Sequence, residues 1–274
     1  MTEVGRNVAQ GNLPSTEHGA EAYDAIWKRY APLDAASPAA FHRRRCVVRL
    51  IRRLSPAPTR LIDIGCGPGL LLARLQAEFP NVQLVGADFS PESLKLARAR
   101  VSGIETQELD LMASDFSTKQ ASHLGRYDVV VCSEVLEHLP NEGRALEHLG
   151  QLTKPGGYCV LTVPGGKMSR FDKLIGHQRH YSAVGLSSQL RAAGFSDIEV
   201  WAWGFPFHNL YRSAVRAAAR WRFSESPGNH HAPDVGHGFL GQAYRAFGAT
   251  LKPLYYLNAP FWGEQLVAQG RRRE

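Results

Sequence analysis

A glycine-rich turn constrains the fold of this chain more than any other stretch. Residues 61–70 read LIDIGCGPGL, so an apolar run ends near Asp63, passes through Gly65, Gly67 and Gly69, and enters a Leu-rich segment. This order predicts a strand, a tight turn and a helix. Side chains at the first two glycines would block a ligand's approach to the backbone. In a doubly wound sheet, the turn at the carboxyl end of such a strand is the ligand site.

A second strand supports this interpretation. Residues 82–88 read VQLVGAD, so another apolar run ends on a carboxylate, Asp88, where folds of this type bind a ribose diol. A nicotinamide dehydrogenase is disfavoured, because its fingerprint is Gly-x-Gly-x-x-Gly and the third glycine here comes one residue early.

Two further motifs follow in the expected order. Residues 127–138 read YDVVVCSEVLEH and residues 152–157 read LTKPGG. With the glycine turn and Asp88, they resemble the motifs of class I S-adenosylmethionine-dependent methyltransferases over residues 40–203. The small-molecule type, and the ubiquinone-biosynthesis O-methyltransferases in particular, are the most similar group. The resemblance implies S-adenosylmethionine as cofactor and S-adenosylhomocysteine as product.

The resemblance also assigns cofactor-binding roles to individual residues. Asp63 would orient the methionine end, Asp88 would accept the ribose hydroxyls, and Phe89 would cover the adenine. The remaining cofactor candidates are Gly65, Cys66 and Gly67 through their backbone, Asp110 and Leu111 at the adenine edge, and Ser133. A helix-capping role for Asp110 remains open.

The alternating pattern predicts a doubly wound, Rossmann-like α/β fold with a seven-stranded sheet. Strands are predicted at 60–64, 82–88, 104–109, 127–132, 158–163, 197–203 and 263–271, and helices at 69–79, 91–100, 141–152 and 183–193. The last strand is expected to be antiparallel. Because it arrives roughly 60 residues late, a helical insertion between strands six and seven is predicted.

These elements predict four segments. They are an N-terminal arm with capping helices (1–55, including an aromatic helix at 23–30), the cofactor-binding core (56–204), the insertion (205–262) and the final strand (263–274). The insertion combines a basic amphipathic helix with a polar linker, whose His230, His231, Asp234 and His237 are interpreted as solvated loop residues. It serves as a lid over the acceptor pocket, as a homodimer contact or as a membrane-surface contact.

Catalytic candidates follow strand four. If the chain turns helical there, Glu134, Glu137 and His138 share one face. Three interpretations stay open. Glu-x-x-Glu-His resembles the metal-binding motif of the ubiquinone group, with His177 as the later ligand of a divalent ion. Alternatively, His138 or His180 is a metal-free general base, or Glu137 and His138 only stabilise the helix. Asp172, Arg179 and Tyr181 are expected on the acceptor side.

Composition limits the remaining function classes. A net charge of +7 and a pI near 9.4 fit either a solvated basic surface or an anionic partner. The chain lacks basic repeats interleaved with aromatics, which disfavours nucleic acid. No apolar run long enough for a membrane span or a signal region is present, and Cys46, Cys66, Cys132 and Cys159 lack metal spacing. We therefore expect a cytoplasmic enzyme with reduced cysteines that methylates a small molecule, most simply at oxygen. Transfer to nitrogen, carbon or a macromolecule is the alternative.

Overall fold

The computed structural model describes residues 35–224, 246, 248–259 and 262–274, where strands alternate with helices. The strands are β1 (Arg60–Ile64), β2 (Gln83–Asp88), β3 (Glu105–Glu108), β4 (Tyr127–Ser133), β5 (Thr153–Pro164), β6 (Phe195–Trp203) and β7 (Gln265–Arg272). The α-helices are α1 (Pro38–Ile51), α2 (Leu70–Glu78), α3 (Pro91–Arg100), α4 (Phe116–Lys119), α5 (Glu142–Leu152), α6 (Arg170–Leu174), α7 (Ala183–Ala192) and α8 (Phe207–Ser224). Short 3-10 turns span Leu136–His138 and Pro253–Leu257.

One sheet contains all of these strands, in the order β3-β2-β1-β4-β5-β7-β6. The pairs from β3 through β5 are parallel, and β7 runs antiparallel to both of its neighbours. The predicted seven-stranded, doubly wound sheet with an antiparallel last strand is confirmed. The chain direction across the sheet reverses between β1 and β4, so the carboxyl end of β1 lies at the point where such sheets bind ligands.

Both faces of the sheet are covered, which explains the continuous apolar runs of its inner strands. In β1, Leu61 packs with α1 and α2 on one face, whereas Ile62 and Ile64 pack with residues of β4 and α5 on the other. The apolar face of α1 is buried through Val47, Leu50 and Ile51, together with Leu54 just after the helix. Ser37 caps this helix, because its Oγ accepts a hydrogen bond from the Ala40 amide at 3.3 Å.

The structure departs from the expectation of a helix directly after β4. Glu134 adopts a left-handed backbone with φ of 57°, and only Leu136–His138 forms a helical turn, of the 3-10 type. The expected shared face for Glu134, Glu137 and His138 therefore does not form. The segment between β5 and α7 contains the short helix α6.

The insertion begins with α8, as the amphipathic pattern predicts. The linker histidines at 230, 231 and 237, Asp234 and the aromatic segment at 23–30 lie outside the described residues. Within the described part of the chain, no helix combines the length and apolar character needed to cross a bilayer. All four cysteines are free thiols.

Candidate functional site

The glycine turn after β1 is held closed by its own backbone. The amides of Gly65 and Cys66 both donate to the carbonyl of Ala87, at 2.7 and 3.0 Å, and the Gly67 amide donates to Asp88 Oδ2 at 2.8 Å. A Cβ at Gly65 would lie 2.4 Å from Val135 Cγ2. These amide hydrogens are used within the protein, where they hold the turn in shape. The turn therefore gives a ligand space, because its glycines have no side chains.

A pocket opens beside this turn, at the carboxyl ends of β1 to β4. It is lined by Ile64, Gly65, Asp88, Phe89, Leu109, Asp110, Leu111, Glu134, Val135, His138 and Leu139. Five predicted cofactor residues are therefore in its wall, namely Gly65, Asp88, Phe89, Asp110 and Leu111. The wall combines three carboxylates with apolar side chains, which suits a ligand with both hydroxyl groups and a flat apolar ring.

The two aspartates of the wall, Asp88 and Asp110, are fixed by backbone amides. Asp88 Oδ1 accepts from the Ser90 amide at 3.0 Å, in addition to its bond with Gly67. Asp110 Oδ1 accepts from the Met112 amide at 2.7 Å, so it also organises its own turn. Both side chains are thus oriented before any ligand arrives.

The other predicted cofactor residues lie just behind the wall. Asp63 is only 2% exposed, and its Oδ2 has no hydrogen-bond partner among the described residues. Burial, together with the negative charge of Asp88, raises the pKa of Asp63 well above its usual range. Ser133 hydrogen-bonds to Thr162 at 2.8 Å between their hydroxyl oxygens. Cys66 is buried next to the turn.

Glu134 is held by three elements that are distant in sequence. Its Oε1 accepts from Gln265 Nε2 at 2.7 Å and from the Thr162 hydroxyl at 3.1 Å, and its Oε2 lies 3.5 Å from Arg43 Nη1. Because these contacts hold the carboxylate, Glu134 does not join the group that Glu137 forms.

That group consists of Glu137, His138 and His177, whose ligand atoms lie within 4.8 Å of one another. Glu137 is fully buried, and neither of its carboxylate oxygens has a hydrogen-bond partner among the described residues. Burial, followed by the negative charge of Glu134, raises the pKa of Glu137 well above its usual range. A buried carboxylate in this setting needs a proton or a cation.

The two histidines of this group are suited to be neutral ligands. His138 Nδ1 lies 3.3 Å from the carbonyl oxygen of Gly176, which can only accept, so we assign the proton to Nδ1 and the lone pair to Nε2. Burial lowers the pKa of His138, and burial followed by the neighbouring histidines lowers that of His177 to about 3. His138 also lines the pocket, so it connects the two parts of the site.

Asp172, His177 and His180 form a second cluster with a different character. Although burial opposes it, hydrogen bonds from Ser169 and the charge of Arg212 lower the pKa of Asp172 to about 2. Two arginines, Arg212 and Arg216, pair with its carboxylate at 3.3 and 3.4 Å. This carboxylate is already neutralised, which makes the Glu137 group the better cation site.

The remaining predicted residues support the loop after β5. His180 lies behind His177, with 3.1 Å between its Nε2 and His177 Nδ1, and does not line the described pocket. Arg179 pairs with Glu142 at 2.5 Å and donates to the carbonyl oxygens of Leu139 and Pro140. Tyr181 is buried. None of these three residues lines the described pocket.

Sequence reasoning missed the buried roles of Arg43, Arg212, Arg216 and Gln265. The four-residue spacing of Arg212 and Arg216 places them on one face of α8, but their acidic partners, Asp172 and Glu264, lie far away in sequence. Only that spacing could have indicated that these arginines act together.

Comparisons with known proteins agree on one family. Residues 39–200, more than half of the chain, match the family model described as "Methyltransferase domain". The ubiquinone biosynthesis O-methyltransferase of Xanthomonas axonopodis pv. citri is 37% identical over 116 residues, which is 40% of this chain and 45% of that protein. Trans-aconitate 2-methyltransferase of Methylobacterium nodulans is 28% identical over 180 residues, covering 62% of this chain and 67% of the relative. The match spans less than half the length of the ubiquinone relatives.

Solved structures of low sequence identity share the fold. Phosphoethanolamine N-methyltransferase 2 of Haemonchus contortus, solved with S-adenosylhomocysteine and phosphomonomethylethanolamine, aligns with a TM-score of 0.59 at 15% identity, over 93% of this chain and 58% of that one. The [4+2]-cyclase SpnF aligns with a TM-score of 0.58 at 17% identity, over 96% and 99% of the two chains. With the pocket, the glycine turn and the match over residues 39–200, these findings show that the chain belongs to the methyltransferase-domain family and has the class I S-adenosylmethionine-dependent fold.

Proposed function

We propose that this protein transfers a methyl group from S-adenosylmethionine to a small-molecule acceptor, at an oxygen atom. The observation that carries the proposal is the position of His138, which belongs both to the pocket wall and to the Glu137–His177 group. A reacting hydroxyl held near that group would lie next to the end of the cofactor pocket. Methyl transfer depends mainly on such alignment.

The residues present fit S-adenosylmethionine, which supplies a sulfonium-activated methyl group. Asp88 supports ribose recognition, because its carboxylate is oriented and lines the pocket. Asp63, whose buried Oδ2 is unpartnered among the described residues, would act on the positively charged methionine end from just behind this wall. Phe89 and Leu111 provide apolar surface for the adenine.

The same site fits a divalent cation, which would lower the pKa of an acceptor hydroxyl. Glu137, His138 and His177 would hold it, because Glu137 has two unpartnered oxygens and His138 has its lone pair on Nε2. Glu134 was also a candidate from sequence, but its contacts with Arg43, Thr162 and Gln265 favour a supporting role. Without a cation, His138 is the base that the geometry favours over His180.

The name of the ubiquinone relatives supports oxygen as the acceptor atom. One of the similar solved structures is an N-methyltransferase, so the proposal needs an experiment that identifies the acceptor atom. The experiment incubates the protein with methyl-labelled S-adenosylmethionine and small molecules that carry hydroxyl, carboxylate or amine groups. We expect label on a hydroxyl, loss of turnover in EDTA, and recovery with Zn²⁺, Mn²⁺ or Mg²⁺.

Glu137→Gln is the matched variant, because it keeps the shape of the side chain and removes its charge. We expect it to abolish metal-dependent turnover while S-adenosylmethionine affinity stays within about twofold, measured by calorimetry. Full activity after thorough chelation would reject the metal and leave His138 as base. Label found only on amines would reject oxygen as the acceptor atom.

Methylation of RNA or a peptide is the second candidate, favoured only by the net charge of +7. A salt-dependent gel shift with RNA would support it. The cytoplasmic location, a homodimer and contact of residues 205–262 with a membrane surface stay predictions.

A further inference from the structure

Arg212, on the insertion helix α8, reaches into the loop after β5, which carries His177 and His180. Its Nη1 donates to the carbonyl oxygen of Glu264 at 2.9 Å and to that of Gly165 at 3.4 Å. Its Nη2 lies 3.3 Å from Asp172 Oδ1 and 3.4 Å from His180 Nε2. The side chain is 13% exposed, so this guanidinium connects α8, the loop after β5 and the start of β7 from a largely buried position.

The contact with His180 favours one position of the proton on that ring. A guanidinium only donates, so we assign the acceptor role to His180 Nε2 and the proton to Nδ1. Asp172 Oδ2 lies 3.8 Å from the same Nε2, and His180 Nδ1 has no hydrogen-bond partner among the described residues. His177 Nδ1 lies 3.1 Å from His180 Nε2. If His180 Nε2 carried a proton, two donors, this Nε2 and Arg212 Nη2, would lie 3.4 Å apart. His177 Nδ1 is therefore the donor, which leaves the lone pair of His177 on Nε2.

This assignment gives both site histidines the same arrangement. His138 donates through Nδ1 to the Gly176 carbonyl, and His177 donates through Nδ1 to His180. Histidines that bind metals usually donate their other ring N–H to an oriented acceptor, which makes the ligating nitrogen more basic.

We propose that Arg212 is a positioning residue of the insertion, which acts through His180 to hold His177 in the tautomer that presents Nε2 as a lone-pair ligand. The proposal rests on the metal site proposed above, but its first consequence, the tautomer of His177, exists without any metal. Helix α8 lies outside the methyltransferase-domain match at residues 39–200, and the proposal gives it a part in the chemistry of the site.

Arg216 is the matched control, one helical turn further along α8. It pairs with the same two acidic residues, with Asp172 at 3.4 Å and Glu264 at 2.8 Å, and donates to the Lys167 carbonyl at 3.0 Å. Among the described hydrogen bonds, none joins it to His180. Arg212 and Arg216 therefore share the charge and the attachment of α8, and differ in the contact with the histidine.

The test compares wild type, Arg212→Met and Arg216→Met, each shown to be folded by a cooperative thermal transition. In metal-free protein labelled with ¹⁵N-histidine, long-range ¹H–¹⁵N spectra report each tautomer, and His177→Gln and His180→Gln identify the signals. We expect Nδ1–H for both rings in wild type and Arg216→Met. In Arg212→Met, the signals of His177 and His180 should move toward Nε2–H or an average of the two forms.

Calorimetry with Zn²⁺ then measures the consequence. Arg212→Met should weaken Zn²⁺ binding about tenfold to a hundredfold, as for other residues that orient metal ligands. Arg216→Met should weaken it by less than about threefold. Arg212→Lys should recover part of the affinity that Arg212→Met loses. An unchanged His177 tautomer in Arg212→Met, or equal weakening in both variants, would overturn the proposal. If wild type binds no Zn²⁺, Mn²⁺ or Mg²⁺ while the tautomer shift is specific to Arg212, the positioning role stands and the metal in the proposed function is rejected.

Discussion

Two buried carboxylates near the site show how much the role of one residue type depends on its partners. Asp172 is surrounded by Ser169, Arg212 and Arg216, so its ionised form is stabilised and its pKa is lowered to about 2. Glu137 has no such donors among the described residues, and burial raises its pKa. The first therefore serves as a structural anion, and the second is left to bind a proton or a cation.

Gly65 lacks a side chain at a position where one would both strain the backbone and fill the space beside the pocket. Its φ of +69° is unfavourable for other residues, and its missing Cβ makes room for Val135. We expect Gly65→Ala to destabilise the protein by about 1–3 kcal/mol and to weaken S-adenosylmethionine binding at least tenfold, since the clash displaces a wall of the pocket. Urea unfolding and calorimetry measure the two effects.

Gly125→Ala is the control for this prediction. Gly125 also has a positive φ, of +63°, but a Cβ there would have no neighbour within 4 Å. The Gly125→Ala variant should be destabilised only by backbone strain, about 1 kcal/mol. Its affinity for the cofactor should be unchanged. Equal losses of affinity in both variants would mean that the contact with Val135 does not shape the pocket.

At the scale of elements, α1, β6 and α8 meet through a cluster of aromatic and imidazole rings. The Trp203 ring lies 4.4 Å from that of His42 and 5.0 Å from that of His208, centroid to centroid. His208 is only 5% exposed, and neither of its ring nitrogens has a hydrogen-bond partner among the described residues. Burial, followed by the charge of Arg212, lowers its pKa to about 3, and burial lowers that of His42 to about 4.

These lowered pKa values predict acid sensitivity. Between pH 6.5 and the folded-state pKa, the unfolded chain binds protons that the native state excludes. Stability is therefore complete above pH 6.5 and falls as the pH decreases, by at most about 1.4 kcal/mol per pH unit for each histidine. We expect His208→Phe to equal or exceed wild-type stability at pH 7.5 and to lose less stability by pH 4.5. Urea unfolding at both pH values tests this, and parallel losses would show that His208 titrates normally.

At the scale of the whole molecule, the last strand in the sequence occupies an inner position in the sheet. β7 pairs with β5 on one side and β6 on the other. It also carries Gln265, which holds Glu134, and follows Glu264, which pairs with Arg216. The same segment therefore completes the sheet, supports the pocket and attaches α8.

A chain shortened to end at residue 258 should therefore not fold. Removal of β7 exposes buried Leu266, Val267 and Ala268 and leaves β6 without its pairing partner. We expect no cooperative thermal transition by circular dichroism and no S-adenosylmethionine binding. A chain that ends at Arg272 keeps β7 and should melt within a few degrees of wild type. A cooperative transition in the shorter chain would mean that β1 to β6 form a stable unit alone.

Local physics explains why much of this protein is predictable from its sequence. The glycine turn, Asp88 and the alternation of strands and helices follow from steric rules and hydrophobic periodicity over about ten residues. The pocket wall follows in turn, because Gly65, Asp88, Phe89 and Asp110 each come at or directly after a strand whose carboxyl end lies at one edge of the sheet.

The tertiary structure decided how the polar residues are partnered. Glu134 and Glu137 are three positions apart and appear equivalent in sequence, yet Gln265, 131 positions away, holds the first, while the second has no partner among the described residues. Likewise Arg212, 32 positions after His180, places a guanidinium nitrogen 3.4 Å from Nε2 of that ring. Periodicity specifies which face of an element is buried, whereas a hydrogen-bond partner depends on which elements the completed fold brings together.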